Sequence, residues 1–175
     1  MRKTYVLVIV LVVVIGLLSY LGISILNKTK EKNHIAKTLE VIPEFEFMDS
    51  KQTSFKNTHL KPNTNTVLIY YNSACDFCHH EAEGLYKHKD QFKNTQILFV
   101  SAEPMDSILK FANQYKLNKS PNLAFYHDTH HFFSNQLDIS SVPFLLIYDK
   151  RQKLIKKHKG PLNAPAILNL LKPYE

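Results

Sequence analysis

The run from Tyr5 to Leu26 holds 22 residues without a single charge, built mainly of Val, Leu and Ile. As a helix it would be about 33 Å long, enough to cross the hydrocarbon core of a bilayer. It divides the chain into a short basic N-terminus (1–4), a transmembrane anchor (5–26), a polar, Lys-rich juxtamembrane linker (27–40) and one folded domain (41–175). A cleaved signal peptide is the competing reading, because Arg2 and Lys3 form a basic leader. The apolar stretch is long, however, and no small-residue cleavage site closes it. Lys28, Lys30 and Lys32 balance Arg2 and Lys3, so the positive-inside count does not orient the anchor.

Beyond the anchor the chain carries 20 of its 22 Lys and Arg and all 15 Asp and Glu, spread along its length. That moderate excess points to a solvated basic surface and away from nucleic acid. The Lys150–Lys159 segment, with Arg151, Lys153, Lys156 and Lys157, reads as a charged sheet edge that resists aggregation, with attraction to a membrane surface or an acidic partner as the alternative. Glycine is scarce and aromatic residues are plentiful, as in an ordinary globular domain.

Alternation at Phe45 and Phe47 predicts a half-buried strand, followed by a turn at Asp49–Lys51 and a short strand near Phe55. Val67–Tyr71 is nearly continuous in apolar and aromatic residues, the pattern of a strand covered on both faces. A helix is predicted over Glu81–Phe92, then a strand at Ile97–Val100 and a helix after Pro104 marked by Ile108, Leu109, Ala112 and Tyr115. Residues 122–131 read as irregular and 132–137 as a short helix. Phe144–Tyr148 and Lys153–His158 form a hairpin, and Asn163 caps a last helix. This order implies an α/β domain with a mixed sheet and helices on both faces.

The only two cysteines, Cys75 and Cys78, stand where the Val67–Tyr71 strand gives way to a helix. Unpaired amides and the dipole at a helix start stabilise a thiolate, so the spacing suits redox chemistry, with Cys75 attacking and Cys78 resolving. Asp76 and Phe77 lie between them, where they would meet a substrate and tune the pair. Cys75-Asp76-Phe77-Cys78-His79 also satisfies the C-x-x-C-H rule for covalent haem attachment, although a cytochrome's helical body is not evident. Copper or zinc binding is a third reading, with His79 and His80 beside the cysteines and His127, His130 and His131 clustered further on. For the latter three a polar surface segment is the simpler account.

From about Ile42 to Leu171 the chain resembles the TlpA-like and redoxin-like branch of the thioredoxin superfamily, many of whose members are membrane-anchored. The residues that carry the likeness are Pro43-Glu44-Phe45 through Asp49, Val67 to Cys78, and Ser141-Val142-Pro143. The resemblance implies a thioredoxin-like three-layer sandwich and thiol-disulfide exchange through Cys75 and Cys78. It implies a cis bond before Pro143 facing the pair, with the backbone of Val142 exposed to a substrate strand. Glu81 matches a glutamate that some members use to move a proton for Cys78, while an acid answering the helix dipole is the plain alternative. No proline separates the cysteines. The peroxidatic branch places a proline and a threonine ahead of a single reactive cysteine, and neither precedes Cys75, so peroxidase activity is the less favoured reading.

The expectations are therefore an anchored oxidoreductase facing the extracytoplasmic, periplasmic side, acting on protein thiols and disulfides. Its redox-active Cys75–Cys78 disulfide needs no metal and no further cofactor, and a membrane or periplasmic donor recharges it. The lipid bilayer is a partner through residues 5–26.

Overall fold

The structure, a computed structural model, describes the backbone of residues 2–174 and, within that span, every side chain but those of residues 2–4, 6–10, 12 and 13. Two compact units result, Met1–Thr38 and Leu39–Glu175. The first is one helix, α1 (Arg2–Leu39). The polar linker expected over 27–40 is thus helical almost to its end. Ala and several Lys supply helix formers there, and neither Gly nor Pro occurs between Asn27 and Leu39. Leu17, Leu18, Leu21, Ile23, Ile25 and Leu26 all expose more than half of their surface. Among the described residues no helix is long and apolar enough to cross a membrane. Part of the expected anchor, residues 6–10, 12 and 13, has side chains outside the described residues.

The second unit contains β1 (Glu46–Met48), β2 (Ser54–Lys56), β3 (Asn65–Tyr70), α2 (Asp76–His88), β4 (Thr95–Ser101), α3 (Met105–Gln114), β5 (Leu123–His127), α4 (Phe132–Leu137), β6 (Phe144–Tyr148), β7 (Leu154–Lys159) and α5 (Ala164–Leu171). One seven-stranded sheet runs in the order β2-β1-β5-β4-β3-β6-β7. β3, β4 and β5 are parallel, whereas β6, β7, β1 and β2 are antiparallel to their neighbours. The central strands are buried on both sides, as their unbroken apolar runs require. Val67, Ile69, Ile97, Phe99, Leu145 and Ile147 face Ala82, Leu85, Phe111, Ile167 and Leu171 in one cluster. On the opposite face Phe133 of α4 stacks on Tyr70 at 4.6 Å and on Phe47 at 6.1 Å. This is a thioredoxin-like α/β fold with a mixed sheet and helices on both faces.

Two elements differ from the sequence expectation. Residues 123–127, expected to be irregular, form β5 and pair in parallel with Ile97–Ser101. Fenced by Pro121-Asn122 and Asp128, the run Leu-Ala-Phe-Tyr-His is too short to show a period, and its pairing with β4 decides it. The helix after the cysteines starts at Asp76, not Glu81, so that Cys78 and His79 lie inside it. Asn163 caps α5 through its side chain, which accepts the Ala166 amide at 2.9 Å.

Phe99 is fully buried, stacked on Phe125 at 4.9 Å and edge-on to Tyr71 at 5.6 Å. Phe99→Ala removes these contacts and leaves a cavity, at a cost of about 3–5 kcal/mol. Urea unfolding will show that loss as a lowered midpoint at unchanged slope, whereas Phe77→Ala, at a residue 60% exposed, shifts stability by less than about 0.5 kcal/mol.

Candidate active site

β3 ends at Tyr70, and a tight turn carries the chain into α2. Asn72 Oδ1 accepts the Ala74 amide at 2.8 Å, and the Cys75 amide donates to the Asn72 carbonyl at 3.2 Å. Asn72 therefore acts as a turn residue that closes the loop on itself. Cys75 is the N-cap of α2, with extended φ and ψ of −91° and 112°. Its sulfur accepts the Cys78 amide at 3.3 Å, while its carbonyl accepts the Cys78 and His79 amides at 3.0 and 3.1 Å. The sulfur thus does what a Ser or Asp side chain ordinarily does at a helix start.

The peptide bond between Val142 and Pro143 is cis. Val142 reaches the site from the loop before β6: its carbonyl lies 3.8 Å from Cys75 Sγ, which donates to it. Pro143 is buried behind it. Asp76 and Phe77 are exposed on the first turn of α2, and Cys75 is half-buried. Cys78 is 1% exposed and both cysteines are free thiols. Burial, seconded by the hydrogen bond with Cys75, pushes the Cys78 thiol well above the ordinary range. One sulfur is presented outward and held by a backbone donor, and the other is kept protonated behind it.

Glu81 lies one turn beyond Cys78 and is 4% exposed. One oxygen accepts the Leu162 amide at 3.3 Å, and the other has no partner among the described residues. Burial pushes its carboxyl up to about 8, the amide opposing weakly, and its charge in turn disfavours ionisation of Cys78. Glu81 thus stands beyond the first turn of α2, buried and tied to the chain before α5.

Sequence reasoning missed Glu103. Its carboxylate accepts the Ser73 amide at 2.6 Å, the Ser73 hydroxyl at 2.7 Å and the Ser101 hydroxyl at 3.2 Å. It clamps the turn before Cys75 to the end of β4. The available signal was its position two residues past a strand parallel to β3, since parallel neighbours deliver their carboxyl ends to one edge. His79 completes the clamp, with Nε2 donating to the Ser73 carbonyl at 2.8 Å and Nδ1 accepting from the Tyr115 hydroxyl at 2.6 Å. Both ring nitrogens of His79 are thus engaged. Among the described residues no three His, Cys, Asp or Glu side chains gather as a metal site. His127 ends β5, and His131 stands at the start of α4, whose first amides are capped by the buried Asp128.

Residues 39–164 match the profile of the AhpC/TSA family. The chain belongs to the AhpC/TSA family. No curated protein sequence matches it. Solved structures resemble this AhpC/TSA protein closely in fold and distantly in sequence. The thioredoxin domain of a thiol-disulfide oxidoreductase from Bacteroides vulgatus is 19% identical, with 78% of this chain and 96% of that one covered at a TM-score of 0.62. An exposed lipoprotein thioredoxin from Streptococcus pneumoniae is 24% identical, covering 74% and 98% at 0.57. A peroxidoxin from Mycobacterium tuberculosis is 16% identical, covering 77% and 96% at 0.65. This AhpC/TSA protein is an oxidoreductase built on the thioredoxin-like fold.

Because the Glu81 carboxyl is raised, its protonated form favours the folded state. That contribution is complete below about 4.5 and is lost as pH rises through about 8. Wild-type stability will therefore fall between pH 5 and pH 9, by a few kcal/mol, while Glu81→Gln removes most of the slope. Urea midpoints at both pH values check this; parallel slopes for the two proteins would exclude Glu81 as the titrating group.

Proposed function

We propose that this protein is a membrane-anchored thiol-disulfide oxidoreductase that reduces extracytoplasmic protein disulfides. The observation that carries the reading is the placement of Cys75 Sγ between the Cys78 amide and the Val142 carbonyl, with the Cys78 thiol buried behind it. That arrangement offers one sulfur to a substrate and holds a second in reserve. Neighbours acting on disulfides and a peroxidoxin share the fold, so the choice rests on the site. A reactive sulfur backed three residues later by a second thiol suits exchange between sulfurs.

In the cycle, Cys75 thiolate attacks one sulfur of a substrate disulfide. A Cys75–substrate disulfide forms and the substrate's other sulfur leaves as thiolate. Val142 lies where an extended substrate backbone would lodge, and Phe77 supplies apolar surface beside it. Cys78 loses its proton to the fraction of Glu81 that is ionised, a share that grows as pH rises through about 8, and attacks the Cys75 sulfur. The second substrate sulfur leaves as thiolate and takes up a proton, and the enzyme retains the Cys75–Cys78 disulfide. Two electrons have passed from enzyme to substrate. A membrane or periplasmic dithiol donor returns them, so the cysteine pair needs neither metal nor haem.

The anchor reading is supported by the uncharged stretch from Tyr5 to Leu26 and by the exposed Leu and Ile along α1. An active two-cysteine exchange site is useful outside the cytoplasm, where substrate disulfides persist.

Cys78→Ser leaves the first step intact and blocks the second. In cells, the variant will accumulate covalent adducts of higher mass that dithiothreitol releases, and the Cys75→Ser/Cys78→Ser double variant will not. Absence of adducts from a Cys78→Ser protein whose Cys75 still reacts with iodoacetamide would refute the exchange mechanism.

A further inference from the structure

The charge of the second unit is unevenly placed. Residues 39–148 carry nine Lys and twelve Asp or Glu, whereas residues 149–175 carry seven Lys or Arg against Asp149 and Glu175 alone. The whole positive excess therefore sits on the β6–β7 hairpin and the chain after it. Arg151, Lys153, Lys156, Lys157 and Lys159 are exposed. The Asp149 carboxylate is taken up by the amides of Arg151 and Lys153, each at 2.8 Å. The two ion pairs among the described residues, Lys56–Glu46 and Lys87–Glu83, lie elsewhere.

β7 is an edge strand. Among the described residues, backbone pairing on its outer side is confined to its beginning, with Val41 bridging Lys153 and the Leu154 amide donating to the Glu40 carbonyl at 2.9 Å. Its far end reaches the redox site. Lys159 pairs with Phe144, the Gly160 amide donates to the Pro143 carbonyl at 2.9 Å, and the Val142 carbonyl next to it faces Cys75. Lys157 Nζ lies 5.6 Å from the centre of the Phe144 ring on the same hairpin. Exposed lysines on both faces of this edge strand thus run from its start to the loop that flanks the attacking sulfur. Protection of an edge strand from aggregation calls for charge on the edge but not for continuity with the site.

We propose that this lysine edge docks an acidic segment of the proteins whose disulfides Cys75 attacks. The inference rests on the exchange reaction above and adds the class of substrate. An acidic partner is repelled by the net-negative remainder of the unit and attracted to this edge. The field thereby steers encounter toward the sulfur and fixes the approach of the partner's disulfide.

The test uses the full-length reduced protein in neutral detergent with two disulfide peptides, identical except that one carries four Glu and the other four Lys beside the disulfide. Rates are normalised to that of neutral hydroxyethyl disulfide on the same protein. At low salt the Glu peptide will react about ten-fold or more faster than the Lys peptide, and the preference will collapse near about 1 M salt, where screening acts over about 3 Å. Lys156→Glu/Lys157→Glu/Lys159→Glu will invert it, and the milder Lys→Gln triple variant will abolish it. Equal rates in the wild type, or a preference that survives both triple variants, would overturn the proposal. So would charge-blind peptide rates together with protection of these lysines from acylation on anionic lipid vesicles, which would assign the edge to membrane contact. Failure to reduce hydroxyethyl disulfide at all is a different result and counts against the exchange reaction itself.

Discussion

The parallel pairing of β3 with β4, in register from Asn65–Thr95 to Tyr70–Val100, brings both strands to their carboxyl ends at the same edge of the sheet. β4 is buried throughout and β3 in all but Tyr70, and they cannot slide, because a one-residue slip would turn each apolar side chain to the opposite face. With the register held, the turn after β3 and the loop after β4 are forced together. There Glu103 takes hold of Ser73, and α2 has to begin at Cys75. The antiparallel β6, paired with the other side of β3 from Thr66–Tyr148 to Tyr70–Phe144, delivers Val142 to the same place from the opposite direction. The cysteine site is thus an outcome of strand register, and its precision comes from the buried core beneath it.

The clamp around Ser73 shows how a polar turn can be rigid without being buried. Three donors converge on the Glu103 carboxylate, and His79, carried on α2, returns to the Ser73 carbonyl with its tautomer fixed by that acceptor. Nε2 must carry the proton, which leaves Nδ1 to accept from Tyr115 on the chain after α3. Three separate elements are therefore cross-linked through one serine. A residue that in sequence looks like a haem or metal ligand does the work of a brace, and the C-x-x-C-H spacing has a structural explanation.

Much of this was legible in the chain. The continuous apolar runs at Val67–Tyr71 and Ile97–Val100 announce doubly covered strands. The hairpin at Asp149–Gln152 and the Asn163 cap have local chemistry that does not depend on the rest of the fold. What escaped was held by tertiary contacts. β5 is five residues long and owes its conformation to β4, which no local pattern reports. Glu103 belongs to the site only because two strands are parallel neighbours, and Ser73 lies thirty residues from it in the chain. The boundary of α2 was misplaced because a cysteine sulfur serves as the N-cap, a role for which sequence rules look to Ser, Thr, Asp or Asn.

Three acids stand around the cysteine pair, and their charges would oppose any thiolate if all acted alike. The structure disposes of them in three ways. Asp76 is exposed, so water and salt attenuate its influence. Glu103 is engaged by three donors that spread its charge over the turn. Glu81 is buried and, raised to about 8 by loss of hydration, is mainly uncharged at neutral pH. The site is therefore less negative than its composition suggests, while the amide of Cys78 remains directed at the Cys75 sulfur. With the nearby acids muted, the end of β7 sets positive charge beside the Val142–Pro143 loop, Lys159 pairing with Phe144 and the Gly160 amide donating to the Pro143 carbonyl.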